Sequence, residues 1–175
     1  SLVGCGGDSP SSPDPSPGEP TLPDVVVIVL DTTRQDGLPI YGYEGLELPT
    51  LDALAKRSRV FTNAWSSSSW TAPATASILS GLYPHQHGVE LGFLASLEQS
   101  GGVLTEVTMA HIPGGLSILP EALSEAGYET FGIADNLNVS AELGFTDGFD
   151  YFVNTHREAI DAGRWQYAGI EHVAE

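Results

Sequence analysis

The sequence predicts an α/β fold built on a mostly parallel sheet, and three observations predict it. A β-branched run, Val25-Val26-Val27-Ile28-Val29-Leu30, is too short to cross a bilayer and is apolar on both faces, as a strand inside a sheet is. Stretches with a helical apolar face follow it. Pro120 to Ala134 then reads as a helix, a glycine stop and an alternating strand, the unit from which parallel sheets are assembled.

The elements can be justified in order. After the first strand, Thr50 precedes LDALAKRS, whose Leu51, Leu54 and Ala55 share a helical face, with Thr50 as the N-cap and Lys56 and Arg57 near the C-terminal end. Val60 to Ala64 reads as a short strand. A second helix spans Ala72 to Leu79, with Pro73 tolerated in its first turn and Gly81 marking its exit. Leu91 to Gly115 has scattered apolar residues, many glycines and no period, so it reads as loop with room for a hairpin. Pro120 to Ala126 is a helix stopped by Gly127, and Tyr128 to Ala134 a strand. Leu143 to Phe152, which contains GFTDGFDYF, reads as a Gly and Asp turn region, and a further helix begins near Arg157.

A chain of 175 residues with 41% hydrophobic content is long enough to bury a core as one domain. Its formal charge of -17, from 6 Lys and Arg against 23 Asp and Glu, leaves no basic stripe of the kind a nucleic-acid backbone requires. Nucleic acid is therefore excluded as an expected partner. The same field repels anionic substrates, so a site for one must reverse it locally, as a bound divalent cation would. Residues 6–23, GGDSPSSPDPSPGEPTLP, hold six of the twelve prolines and almost no large apolar residue, which predicts a disordered, Pro-stiffened linker. The folded domain is expected to occupy residues 24–175.

Cys5 is the one cysteine, so an internal disulfide is impossible. Leu2-Val3-Gly4-Cys5 resembles the lipobox that ends a bacterial lipoprotein signal peptide, making residues 1–5 the tail of such a signal. That resemblance implies lipidation at Cys5, a protein in the bacterial cell envelope facing the periplasm or exterior, and contact with the membrane through the lipid anchor only.

Two positions stand out chemically. Asp31 directly follows the first strand, and in open α/β sheets ligands collect at the carboxyl ends of strands. By position alone it serves equally as a strand-ending turn cap. Thr71, in Ser69-Trp70-Thr71-Ala72-Pro73-Ala74-Thr75, stands where a helix begins and free N–H groups attract an anion, though a plain N-cap role accounts for it too.

Taken together, VVVIVLDTTRQDGLPIYGY, LPTLDALAKRSRVFTNAWS and TAPATASILSGLYPHQHGV closely resemble the opening of sulfatase-family proteins in the alkaline phosphatase superfamily. LSILPEALSEAGYETFGIADN and GFTDGFDYF continue the resemblance, which runs from about Asp24 to Val153. It implies an alkaline-phosphatase-like three-layer sandwich, incomplete here at the C-terminus. It also implies that Asp31 binds a divalent metal and that Thr71 is the nucleophile and a second metal ligand.

The departures shape the expected chemistry. Sulfatases carry Cys or Ser at the nucleophile position for oxidation to formylglycine, and usually Arg two residues beyond the Pro; this chain has Thr71 and Thr75. Oxidising Thr yields a ketone and not an aldehyde, so no formylglycine is expected, and Thr71 resembles the phosphatase, phosphodiesterase and phosphoethanolamine-transferase-like branches. Thr32 replaces the second Asp of the metal pair. The Lys and His expected after the later strand are absent from Ala134-Asp135-Asn136-Leu137-Asn138, where Asn136 is a candidate substrate contact or a simple strand end.

Activating Thr71 demands a strong electrophile. Bringing an alcohol hydroxyl, about as weak an acid as water, to an alkoxide near neutrality is worth on the order of 11 kcal/mol. A helix dipole supplies at most about 2 kcal/mol. A divalent ion is therefore expected, with Zn or Mn favoured by the Thr nucleophile and Ca the sulfatase habit. His85 and His87 have a spacing that could serve a metal, but the flanking Pro84 and Gly88 imply a turn. Family members complete the site with a downstream Asp-His pair and a later His. No Asp-His dipeptide occurs here, so the remaining ligands are expected beyond Glu175 and the chain as written is expected to be inactive.

The sequence thus predicts a metal-dependent hydrolase of anionic esters, phosphoester favoured over sulfate ester. Its rivals are a transferase passing a phospho-alcohol head group to a surface glycan or lipid, and a non-catalytic surface lipoprotein.

Overall fold

The computed structural model describes residues 22–103 and 108–161. Cys5 and most of the Pro-rich linker lie outside the described residues, as do His172 and the tail beyond residue 161. Six α-helices and two strands are placed among them, beside short 3-10 turns: α1 (Pro49–Ala55), α2 (Thr71–Ser80), α3 (Pro84–His87), α4 (Phe93–Gln99), α5 (Leu119–Glu125), β1 (Phe131–Ala134), β2 (Tyr151–Asn154) and α6 (Thr155–Asp161). No helix among the described residues is long and apolar enough to cross a membrane.

The two strands pair in parallel, Phe131 opposite Tyr151 through Ala134 opposite Asn154. Asp150 and Thr130 tie their starts together. Asp150 Oδ2 accepts from the Thr130 amide at 2.7 Å, and the Asp150 amide donates to Thr130 Oγ1 at 3.0 Å. Phe131 and Tyr151 stack across the pair with centroids 5.1 Å apart. Gly148 sits at φ 75° against the backbone of Glu121, so the turn into β2 needs a residue with no side chain.

The core gathers Ala72 and Ala76 of α2 with Val89, Ile112, Ile118, Leu143 and Phe145. Small residues on the inner face of α2 let α3 and α5 approach it. Gly81, at φ 70°, ends α2 by donating its amide to the Ser77 carbonyl.

Several expectations need correction. Val25–Leu30 carries no assigned secondary structure and pairs with no strand among the described residues, and its successive side chains are exposed, Val26 at 79% and Val27 at 56%. A run apolar on both faces becomes a buried strand only where a ladder partner and two covering layers meet it. Here Val25, Val27 and Val29 line an open cleft of about 440 Å³ facing Phe131, Ile133 and Leu123. Val60–Ala64 likewise forms no strand. Thr50 lies inside α1, whose N-cap is Leu48, because Pro49 fits the first helical position where no N–H is needed. α4 occupies part of the stretch expected to be loop, and β2 emerges from what read as a turn region, while the helix expected near Arg157 is α6, starting at Thr155.

Candidate active site

The chain emerges from the Val25–Leu30 segment into a strained turn. Thr32 has φ 58°, unusual for a β-branched residue. The turn is held by Asp31: the Thr32 amide donates to Asp31 Oδ1 at 3.0 Å, and Thr32 Oγ1 donates to the Asp31 carbonyl at 2.7 Å. Strain of this kind persists where surrounding bonds over-determine it, and it here turns the Asp31 carboxylate toward α2.

Thr71 is the first residue of α2, with Trp70 as N-cap. It is half-buried, and Oγ1 donates to Asp31, 3.1 Å from Oδ2 and 3.3 Å from Oδ1. Asn136, two residues beyond β1, closes the third side with Nδ2 donating to Asp31 Oδ2 at 2.9 Å. Residues 40 and 105 positions distant from Asp31 thus meet on one carboxylate. Arg34, the nearest cation in sequence, turns away and forms a fork with Asp36, holding that carboxyl below the usual carboxylate range.

The donor types suit a hard divalent ion along one edge. Asp31 and Thr71 present adjacent carboxylate and hydroxyl oxygens, of the class that Mg, Ca or Mn accept and that Zn also takes from carboxylates. Asn136 turns its Nδ2 toward them and so acts as a donor to Asp31. Among the described residues no group of three or more His, Cys, Asp or Glu could hold a metal ion. A catalytic ion takes at least three protein ligands, so Asp31 and Thr71 fit part of a site and need further ligands.

The histidines have other uses. His87 is 1% exposed; its Nδ1 accepts from the Val89 amide at 3.1 Å, which leaves the proton on Nε2, donated to Ser77 Oγ at 3.0 Å. Both ring nitrogens are thereby committed to packing α3 on α2, and burial holds the imidazole below its usual range. His85 stacks on Tyr83 at 6.0 Å, and His111 Nδ1 pairs with the Ile112 carbonyl. His156 lies 4.0 Å from Asp135.

Residues 23–169 match the family model described as Sulfatase. The chain belongs to the sulfatase family. This sulfatase-family chain is 28% identical over 111 residues to N-acetylgalactosamine-6-sulfatase of Rattus norvegicus, covering 63% of this chain and 21% of that protein. It is 34% identical over 111 residues to the N-sulphoglucosamine sulphohydrolase of Homo sapiens (63% and 20%), and 42% identical over 76 residues to an ulvan-active sulfatase of Formosa agariphila (43% and 15%). It spans about a fifth of the length of the first two. A crystal structure reported as a "putative sulfatase" from Bacteroides thetaiotaomicron VPI-5482 superposes with TM-score 0.50 at 23% identity, over 67% of this chain and 22% of that one. That likeness shows the fold, α/β with a parallel sheet in the alkaline-phosphatase-like manner.

Sequence reasoning pointed to Asp31, Thr71 and Asn136, and the structure brings these three together. It passed over Asn138 and Asn154, which hold Asn136. The one available signal was the Asn136-Leu137-Asn138 spacing, typical of an Asx turn.

Proposed function

We propose that the whole protein containing this chain is a metal-dependent hydrolase of phosphate or sulfate monoesters, with Thr71 as its nucleophile. The observation that carries this reading is the convergence of Thr71 Oγ1 and Asn136 Nδ2 on the Asp31 carboxylate at the start of α2. Asp31 and Thr71 would hold a divalent ion, Zn or Mn before Ca, which when bound supplies the positive charge that favours the alkoxide of Thr71.

The chain's own residues account for the rest. Asp31 aligns the Thr71 hydroxyl and stands where it accepts the hydroxyl proton. Thr71 Oγ1 attacks the ester phosphorus or sulfur; the new O–P or O–S bond forms as the bond to the alcohol breaks, and the alcohol leaves with the proton that Thr71 gave up to Asp31. Water then attacks the Thr71 ester, releasing the inorganic anion and returning the hydroxyl. Asn136 and the amides of Thr71 and Ala72, which precede the first intrahelical bond, donate to the ester oxygens.

Two features bear on the ester class. The names of the relatives favour a sulfate ester. Thr71, which cannot yield an aldehyde, favours direct attack by an alcohol and hence a phosphoester, and we adopt that preference with Thr71 unmodified. Assay of the full-length protein against matched aryl phosphate and aryl sulfate esters tests it: Thr71→Ala should lower phosphatase turnover on the order of 10⁴-fold or more while Thr71→Ser retains it. Full activity in Thr71→Ala with metal bound would overturn the reading. Lipidation at Cys5, holding the enzyme to a bacterial envelope membrane, is proposed with it; a diacylglyceryl mass on the Cys5 peptide would support it, and an unmodified Cys5 in the mature native protein would refute it.

A further inference from the structure

An asparagine amide can be turned over with little change of shape, exchanging a donor for an acceptor. At Asn136 the difference is decisive. In the observed sense Nδ2 faces Asp31 Oδ2 at 2.9 Å; reversed, Oδ1 would oppose a carboxylate that can only accept. Asn138 sets the sense. Its backbone N–H, which can only donate, reaches Asn136 Oδ1 at 2.8 Å, and its Nδ2 reaches the same oxygen at 3.0 Å.

The backbone beneath this amide is held as well. Asn154, the last residue of β2, donates Nδ2 to the carbonyls of Asn136 at 3.0 Å and Val139 at 2.9 Å. The Val139 amide closes the 136–139 turn on the Asn136 carbonyl at 3.0 Å. β2 thus fixes where the turn sits, and Asn138 fixes which atom of Asn136 looks at Asp31.

We infer that Asn138 and Asn154 are positioning residues that hold the Asn136 amide with Nδ2 toward Asp31, beside the Thr71 hydroxyl. Its consequence for anion binding rests on the ester-hydrolase reading above; its geometry does not. Replacing Asn138 with Asp removes the Nδ2 donor and sets a carboxylate beside Asn136 Oδ1, which opposes the observed sense, whereas Asn138→Ala removes the Nδ2 donor alone; the backbone donor survives in both.

The test uses full-length protein labelled with 15N-asparagine, the Asn136 side-chain resonance being identified by its absence in Asn136→Ala. In the wild type one amide proton should be downfield and slow to exchange. Asn138→Asp should speed exchange of that proton, shift it upfield and weaken inhibition by orthovanadate about tenfold; Asn138→Ala and Asn154→Ala should each weaken it about two- to threefold. A merely structural role would lower the melting temperature while leaving the resonance and the vanadate affinity at wild-type values, and that result would overturn the inference. Should Asn138→Asp fail to fold, the same two readouts in Asn138→Ala decide. Failure of the wild type to bind vanadate would count against the hydrolase reading, while the amide signature would still decide the positioning role.

Discussion

Thr71 Oγ1 donates to Asp31 across forty residues of chain, 3.1 Å from one carboxylate oxygen and 3.3 Å from the other. Asp31 also receives the Thr32 amide and Asn136 Nδ2, so one exposed side chain collects the turn after Leu30, a helix start and the loop after β1. Asp31→Asn would set an amide donor against those donors. Turnover by the full-length enzyme should fall about 10²- to 10⁴-fold, and because Asp31 is exposed its melting temperature should stay close to wild type. Steady-state kinetics with a thermal melt on the same preparation check both parts.

The strained turn beside it makes a second prediction. A β-branched residue at φ 58° costs about 1 kcal/mol or more, and Asn tolerates that region far better. Thr32→Asn should therefore stabilise the fold by about 0.5–1 kcal/mol, read as a rise in the denaturation midpoint. The Thr32 backbone donor to Asp31 survives the change, so activity should be retained.

His87 predicts the pH dependence. Burial, outweighing the favourable Pro73 carbonyl and Glu90, lowers its folded-state pKa from the ordinary 6.5. The unfolded chain therefore binds the proton more readily, and stability from this group is full above about pH 6.5 and declines as the pH falls from there toward the lower folded value. Protonating Nδ1 would also set an N–H against the Val89 N–H. His87→Gln should flatten the stability profile between pH 7 and 5, measured by chemical denaturation at each pH, even if its absolute stability is lower.

Asp150 predicts where the sheet is vulnerable. It accepts from the buried Thr130 amide, and Asp150→Ala leaves that donor unpaired, which should cost about 1–3 kcal/mol. Gly148→Ala should be worse than a surface change, because a Cβ there meets the Glu121 backbone and the residue needs positive φ. Denaturant midpoints for the two variants provide the check.

Helices were legible where punctuation was local. Pro73 and Gly81 bracket α2, and Gly127 closes the α5 region, since a ring without an N–H and a residue free at positive φ act within one turn. Strands were legible only in part, Tyr128–Ala134 holding β1, because a strand exists through its partner. Val25–Leu30 has the composition of one yet finds no ladder among the described residues, whereas Tyr151–Asn154 becomes one because Phe131–Ala134 lies beside it. α4 went unread because glycines flank a stretch without apolar period. Asp31 and Thr71 stood out through ordered sequence blocks, but the Asn138 and Asn154 contacts to Asn136 arise only when the turn after β1 folds onto the end of β2.

The most direct test of the central claim is mass spectrometry of the Thr71 peptide after the metal-loaded, full-length enzyme is quenched in acid during turnover of an aryl phosphate. A phosphoryl group on Thr71 that appears with substrate and disappears as substrate is exhausted is the predicted result. Turnover with Thr71 unmodified at every time point, and retained in Thr71→Ala, would contradict the account.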